Sequence, residues 1–206
     1  RDILCVPELR DTLFSFTDID AGNLERAVQL CRKDMEDNGL AARVTGHLER
    51  SRALRDAKYI INCTRIGGLE AFAHDIDIPL KYGVDQCVGD TLCAGGIMYA
   101  QRTIPVLLGI CKDIREVADA NALLLNYANP NAMNTWAANE YGHVHVRTYD
   151  PLRIMQDAVE PDIGLHDPRG YCQGKSEQST QQEFQLVAHF QRTGSPKGRQ
   201  RDKKCQ

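Results

Sequence analysis

The chain has 206 residues with a formal net charge of -3, 42% hydrophobic and 26% charged residues. That composition is ordinary for a globular protein; it argues against disorder as the default and shows no basic footprint for nucleic acid. No run of about 18 apolar residues is present, which excludes a spanning helix in this stretch of sequence. Arg1-Asp2-Ile3-Leu4-Cys5 lacks the charged-then-apolar layout of a secretory signal, and the absent initial Met predicts an excerpt or a processed chain.

Taken in chain order, the sequence reads as alternating strands and helices. Thr12-Leu13-Phe14-Ser15-Phe16-Thr17 is rich in β-formers and predicts a strand ending at Asp18-Ile19-Asp20. A helix follows from Gly22-Asn23-Leu24, with Leu24, Val28, Leu30, Cys31 and Met35 near one face and Gly39 as its stop. Residues 42–45 predict a short strand and residues 49–56 a polar helix. Lys58-Tyr59-Ile60-Ile61-Asn62-Cys63-Thr64 is nearly continuous in apolar character, as in a strand covered on both faces. Residues 97–119 predict a long helix, with Ile104, Leu107, Leu108, Ile110, Cys111 and Ile114 available for burial and Pro105 placed to bend it. Ala122-Leu123-Leu124-Leu125-Asn126 predicts another buried strand, residues 131–139 a helix, and His143-Val144-His145-Val146 a last strand. Such alternation implies a parallel sheet with right-handed crossovers.

The chain changes character near residue 149. Nine of its twelve glutamines lie beyond that point, and Pro151, Pro161, Gly164, Pro168, Gly170 and Gly174 interrupt the tail. Residues 197–204 form a basic run, read as a solvated terminus, and only residues 183–191 have weak helical character. Two parts are therefore expected, a sheet-forming part over 1–148 and an irregular part over 149–206. The eight cysteines, without a Cys-x-x-Cys pair, read as cytoplasmic thiols and not as a zinc or disulfide framework.

Ligands of parallel sheets sit at the carboxyl ends of strands, so the turns there carry the functional reading. Asp18 stands where a dinucleotide-binding domain places the carboxylate that accepts from the adenosine ribose; a helix N-cap is the alternative. The 17 residues before it contain no glycine, so the phosphate loop that precedes such a strand is not in this sequence. Gly67 and Gly68, in Thr64-Arg65-Ile66-Gly67-Gly68, let a backbone approach a ligand or make a plain tight turn. Asn126 and Asn129, in Asn126-Tyr127-Ala128-Asn129-Pro130, suit sugar hydroxyls or the nicotinamide ribose, or form an ordinary Asn-Pro turn. Gly95-Gly96 at the start of the long helix could expose amides to an anion, or belong to a flexible loop. Asp90 beside it could accept protons or tune a neighbour, and Arg102 further along reads as a solvated side chain.

The ordered string Tyr82-Gly83-Val84-Asp85-Gln86-Cys87-Val88-Gly89-Asp90-Thr91-Leu92, then Gly95-Gly96-Ile97, Arg102-Thr103-Ile104-Pro105-Val106-Leu107-Leu108 and Asn126-Tyr127-Ala128-Asn129-Pro130 with Ala132-Met133-Asn134 resembles glycoside hydrolase family 4, over about residues 1–147. It is most similar to the α-galactosidase and α-galacturonidase branch. The resemblance implies a Rossmann-like, lactate/malate dehydrogenase-like sheet, incomplete at its N-terminal strand. It also implies hydrolysis of a small-molecule glycoside by NAD-dependent oxidation at C3, removal of the C2 proton by a tyrosine, elimination and water addition. A divalent metal, usually manganese, polarises the oxygens at C2 and C3. Residue by residue, it implies that Asp18 holds the adenosine ribose, that Asn62 and the 64–68 turn with Gly67 and Gly68 line the cofactor, that Asn129 contacts substrate, and that Asp90 sits at the acidic position that raises the basicity of the catalytic tyrosine. A cytoplasmic homo-oligomer is the family's implied state.

The sequence departs from that pattern in three places. Its Gly-x-Gly-Ser loop is missing, Cys93-Ala94 replaces a Gly-Pro, and His145-Val146-Arg147-Thr148-Tyr149-Asp150-Pro151 stands where the family has a metal-binding Cys-His turn. No metal ligand is therefore expected in this chain, a truncated or frame-shifted tail is, and so is little or no turnover. Two rivals share the fold: a lactate or malate dehydrogenase-like oxidoreductase, for which His143 and His145 lack an acidic partner in the sequence, and a non-catalytic fragment with exposed sheet edges.

Overall fold

The computed structural model describes residue 3, residues 6–86 and 91–147, and the backbone of residues 186–192. Six strands, β1 (Thr12–Thr17), β2 (Arg43–His47), β3 (Tyr59–Cys63), β4 (Leu123–Asn126), β5 (His145–Arg147) and β6 (Leu186–Arg192), form one sheet in the order β2-β1-β6-β3-β4-β5. Five helices accompany them: α1 (Ala21–Asp37), α2 (Arg50–Leu54), α3 (Gly68–Leu80), α4 (Cys93–Val117) and α5 (Asn131–Tyr141). β1 pairs β2 in parallel, as β3 pairs β4 and β4 pairs β5. β6 runs antiparallel to both of its neighbours, β1 and β3. The sheet is thus the expected Rossmann-like one, with one reversed strand at its centre.

Local chemistry explains each element. α1 is capped by Asp20, whose Oδ1 accepts from the Asn23 N–H at 2.6 Å. It ends in a Schellman motif: Gly39, at φ +59°, donates to the Glu36 carbonyl at 3.2 Å, and Leu40 to the Met35 carbonyl at 3.0 Å. The glycine stop read from the sequence is therefore real. Leu24, Val28 and Met35 are the buried stripe of that helix, whereas Leu30 is 65% exposed, because it lies off the three-and-four-residue spacing of the other three. α4 runs through Pro105 without interruption and starts four residues earlier than its apolar pattern predicts.

Two cores cover the two faces of the sheet. Phe14, Phe16, Leu24, Val28, Met35, Val44 and Leu125 pack under α1, while Leu54, Ile60, Leu107, Ile110, Ile114, Leu124 and Val146 pack under α2, α4 and α5. Each fully buried apolar side chain contributes roughly 1.5–3 kcal/mol, so these clusters hold the strands whose tips form the site. No described helix is long and apolar enough to cross a membrane. Two elements differ from the sequence reading. α3 was not foreseen, because Pro79 and the acids Asp75 and Asp77 obscure its period. Residues 183–191, read as weakly helical, instead supply β6: Leu186, Val187 and Phe190 favour the pleated surface, and pairing on both sides overrides helical preference. The tail is thus not wholly irregular.

Candidate cofactor and substrate site

β1 to β5 all point the same way, so Asp18, His47, Thr64, Tyr127 and the residues that follow them gather at one pole of the sheet. The sheet order reverses direction between β1 and β3, the switch point at which open α/β sheets bind ligands. Asp18 is 4% exposed at the tip of β1, and its Oδ1 accepts from the Asp20 N–H at 2.8 Å. The cap of α1 is Asp20, which answers the alternative raised for Asp18: its carboxylate braces the turn and does not cap the helix.

The tips of β3 and β4 are tied by carboxamides. Asn62 is fully buried; its Nδ2 donates to Asn126 Oδ1 at 2.9 Å, and its Oδ1 accepts from the Thr64 hydroxyl at 2.9 Å. Asn126 Nδ2 in turn donates to the Ala128 carbonyl at 3.2 Å and to Thr135 Oγ1 at 3.3 Å. The Tyr127 N–H donates to the Asn62 carbonyl at 2.8 Å. Asn62 and Asn126 therefore set the backbone of the two turns. Of the two asparagines flagged in the second turn, Asn126 is 1% exposed and committed to this network, whereas Asn129 is half-buried.

The 64–68 turn is held from beneath. Gly67 and Gly68 have φ of +84° and +61°, left-handed values that glycine adopts without strain. A Cβ on Gly67 would stand 2.6 Å from the Ala71 Cβ, so the turn also needs the space. Arg102 on α4 donates from Nε to the Ile66 carbonyl at 2.9 Å and forms a two-pronged ion pair with Asp75 of α3, at 2.7 and 2.5 Å. Asp75 is fully buried. The guanidinium also lies 4.6 Å from the Tyr99 ring, and Arg65 lies 4.7 Å from Phe72. Arg102 is thus a structural clamp and not the solvated side chain read from the sequence. Its partner Asp75 is one of three acids between Leu69 and Ile78, with Glu70 and Asp77, so no sequence signal singled it out.

Gly95 and Gly96 lie in the first turn of α4, and their amides are engaged. The Gly95 N–H donates to Gln86 Oε1 at 2.7 Å and the Gly96 N–H to the Leu92 carbonyl at 3.2 Å. A Cβ on Gly96 would stand 2.7 Å from the Thr91 carbonyl carbon. These glycines allow close packing of the preceding loop, so the anion site suggested for them is corrected. Asp90, with residues 87–89, lies outside the described residues. Among the described residues no three His, Cys, Asp or Glu side chains are grouped to hold a metal. Two open depressions, of about 320 and 380 Å³, lie at the opposite pole, beside His143–His145 and beside Asn38–Ala41.

The profile of the Family 4 glycosyl hydrolases matches residues 1–146. The chain belongs to this family. Over 143 residues it is 62% identical to an alpha-galactosidase of Rhizobium meliloti (strain 1021), covering 69% of this chain and 29% of the relative. An alpha-galactosidase of Bacillus subtilis (strain 168) is 35% identical over 145 residues, 69% of this chain and 33% of the relative. This family 4 chain therefore spans about a third of the length of those curated relatives. Among solved structures, the 6-phospho-beta glucosidase from Thermotoga maritima with manganese, NAD+ and glucose-6-phosphate superposes with a TM-score of 0.58 at 27% identity, over 71% of this chain and 35% of that one. Family 4 membership makes the chain part of a glycosidase family and accounts for the Rossmann-like sheet.

Proposed function

We propose that this chain is the cofactor-binding portion of an α-galactosidase-type family 4 glycosidase, acting on small-molecule α-glycosides in the cytoplasm. The observation that carries the reading is the gathering of Asp18, the 64–68 turn and Asn129 at one switch-point pole, in a chain 62% identical to an alpha-galactosidase over 143 residues. Asp18 suits the cofactor: a carboxylate at a strand tip accepts the paired hydroxyls of a ribose. Asn62 sets the floor beneath the cofactor, Gly67 and Gly68 bring backbone to its edge, and Asn129 orients the sugar. Bound NAD supplies a hydride acceptor for the sugar carbon. Asp90 is assigned the acidic position near the base. Manganese accompanies the solved relative, but no described group in this chain fits it, so no step is assigned to a metal. The division at residue 148 is one of composition, and homo-oligomers belong to the full-length enzymes. Cys31, Cys63, Cys93 and Cys111 are thiols, in keeping with a reducing compartment.

Two measurements test the reading. NADH fluorescence titration should show binding that weakens about tenfold or more in Asp18→Ala, the effect of losing charge-assisted hydrogen bonds worth roughly 1.5–3 kcal/mol. No binding, or binding indifferent to Asp18, contradicts it. Release of nitrophenol from a nitrophenyl α-galactoside with NAD+ and Mn2+ should be absent or marginal for this chain; brisk turnover contradicts the assignment of a cofactor-binding portion.

A further inference from the structure

Two helices each carry a backbone group without its helical partner, and one side chain meets both. In α3 the Asp75 carbonyl stands four residues before Pro79, which has no N–H to donate to it. In α4 the Gly95 N–H lies in the first turn, where Leu92 at the N-cap makes no side-chain cap. Gln86 serves the two together. Its Nε2 donates to the Asp75 carbonyl at 2.8 Å, and its Oε1 accepts from the Gly95 N–H at 2.7 Å. One carboxamide therefore joins the middle of α3 to the amino end of α4. The same helices meet again through side chains. Arg102 of α4 pairs with the buried Asp75 carboxylate and donates from Nε to the Ile66 carbonyl. Gly95 and Arg102 are seven residues apart, two turns of α4, so both contacts lie on one face of that helix. Asp75 thus takes Gln86 on its main chain and Arg102 on its side chain. Proline is a common origin of helix bending, so the donor placed at this carbonyl sets how α3 meets α4, and with it where Arg102 holds the turn.

We propose that Gln86 is a positioning residue: through Asp75 and Arg102 it fixes the 64–68 turn, and so the backbone that Gly67 and Gly68 offer to a cofactor. Its consequence for NAD rests on the cofactor reading of that turn. The coupling of Gln86 to the turn rests only on the chain of contacts from Gly95 through Gln86, Asp75 and Arg102 to Ile66.

The test is Gln86→Glu in the full chain, followed by backbone amide shifts from about pH 4 to about pH 8. A neutral carboxyl reproduces both contacts, since its O–H donates to the Asp75 carbonyl and its other oxygen accepts from Gly95. The carboxylate keeps the second contact and sets an acceptor against an acceptor at the first. The Gly67 N–H belongs to the peptide unit whose Ile66 carbonyl Arg102 holds. The Gly95 and Gly67 amides should therefore titrate together with one midpoint, and that shared step should be missing from the wild type. Adding Pro79→Ala, which returns an N–H to the Asp75 carbonyl, should remove most of the step at Gly67 and leave the one at Gly95. NAD+ affinity of Gln86→Glu should be about threefold or more below wild type above the midpoint and equal to it below. Unshifted α5 amides show that the chain stays folded. Should Gln86→Glu not fold, Gln86→Asn, too short to span both contacts, should displace the Gly95 and Gly67 amides together at every pH. A response at Gly95 alone in either variant, separate midpoints, a Gly67 step unchanged by Pro79→Ala, or wild-type NAD+ affinity throughout in Gln86→Glu each overturns the proposal. A wild type that binds no NAD+ contradicts the cofactor reading instead, and the amide shifts still decide the coupling.

Discussion

At the scale of single residues, the site depends on backbone shape as much as on side-chain chemistry. Gly67 combines a left-handed φ of +84° with a Cβ position 2.6 Å from Ala71. Gly67→Ala should therefore lose about 2–4 kcal/mol by urea denaturation. Gly39→Ala, at φ +59° but with nothing within 4 Å of the added methyl, should lose only about 1 kcal/mol. Equal losses would show that space at the 64–68 turn is not limiting. Cys111 is fully buried between α4 and α5, and burial pushes its thiol from 9.0 up to about 11, against a weaker opposing pull from Arg115. A thiol held protonated in the fold stabilises it fully below the unfolded value and loses that contribution as pH rises through the folded one. The melting temperature should fall more steeply between pH 9.0 and about 11 in the wild type than in Cys111→Ala. Parallel slopes would count against the burial effect. The places of Asp18 and of the paired glycines, just beyond the ends of β1 and β3, were legible in the sequence because residue type marks such strand ends. Arg102 was not, because its role depends on Asp75, 27 residues away in sequence.

At the scale of elements, buried polar pairs tie the turns together. Asn62→Ala and Asn126→Ala should each cost about 2–3 kcal/mol, and the double variant should cost less than their sum by about 1 kcal/mol, since each single change strands the other's buried carboxamide. Additive losses would show that the two asparagines act separately. Arg102→Lys should lose most of the clamp, about 3 kcal/mol, because an ammonium cannot reproduce the two-pronged contact while also reaching the Ile66 carbonyl, and Asp75 stays buried. Retention of wild-type stability by Arg102→Lys would reduce the clamp to a simple charge contact. The strongly patterned elements, β1, α1, β3, α4 and β4, were readable because period and burial agree in them. α3 was hidden by its acids, of which Asp75 finds its partner, Arg102, on α4. β6 was hidden because seven residues acquire their state from neighbours more than a hundred residues distant.

At the scale of the whole molecule, the strand order states a conflict that the sequence could not show. Five strands build a dinucleotide-type pole in parallel, while the sixth enters the central place in reverse. The pole holds Asp18 and the two turns, and the described depressions lie at the other end of the sheet. The two poles make opposite predictions for ligand binding, and mapping backbone amide shifts of the labelled full chain during NAD+ titration separates them. The account predicts concentration-dependent shifts at Asp18, Thr64, Gly67 and Gly68, with Ala120 and His143 at the opposite pole unmoved. Shifts confined to Ala120 and His143, or none at the Asp18 and Gly67 tips at saturating nucleotide, would contradict it.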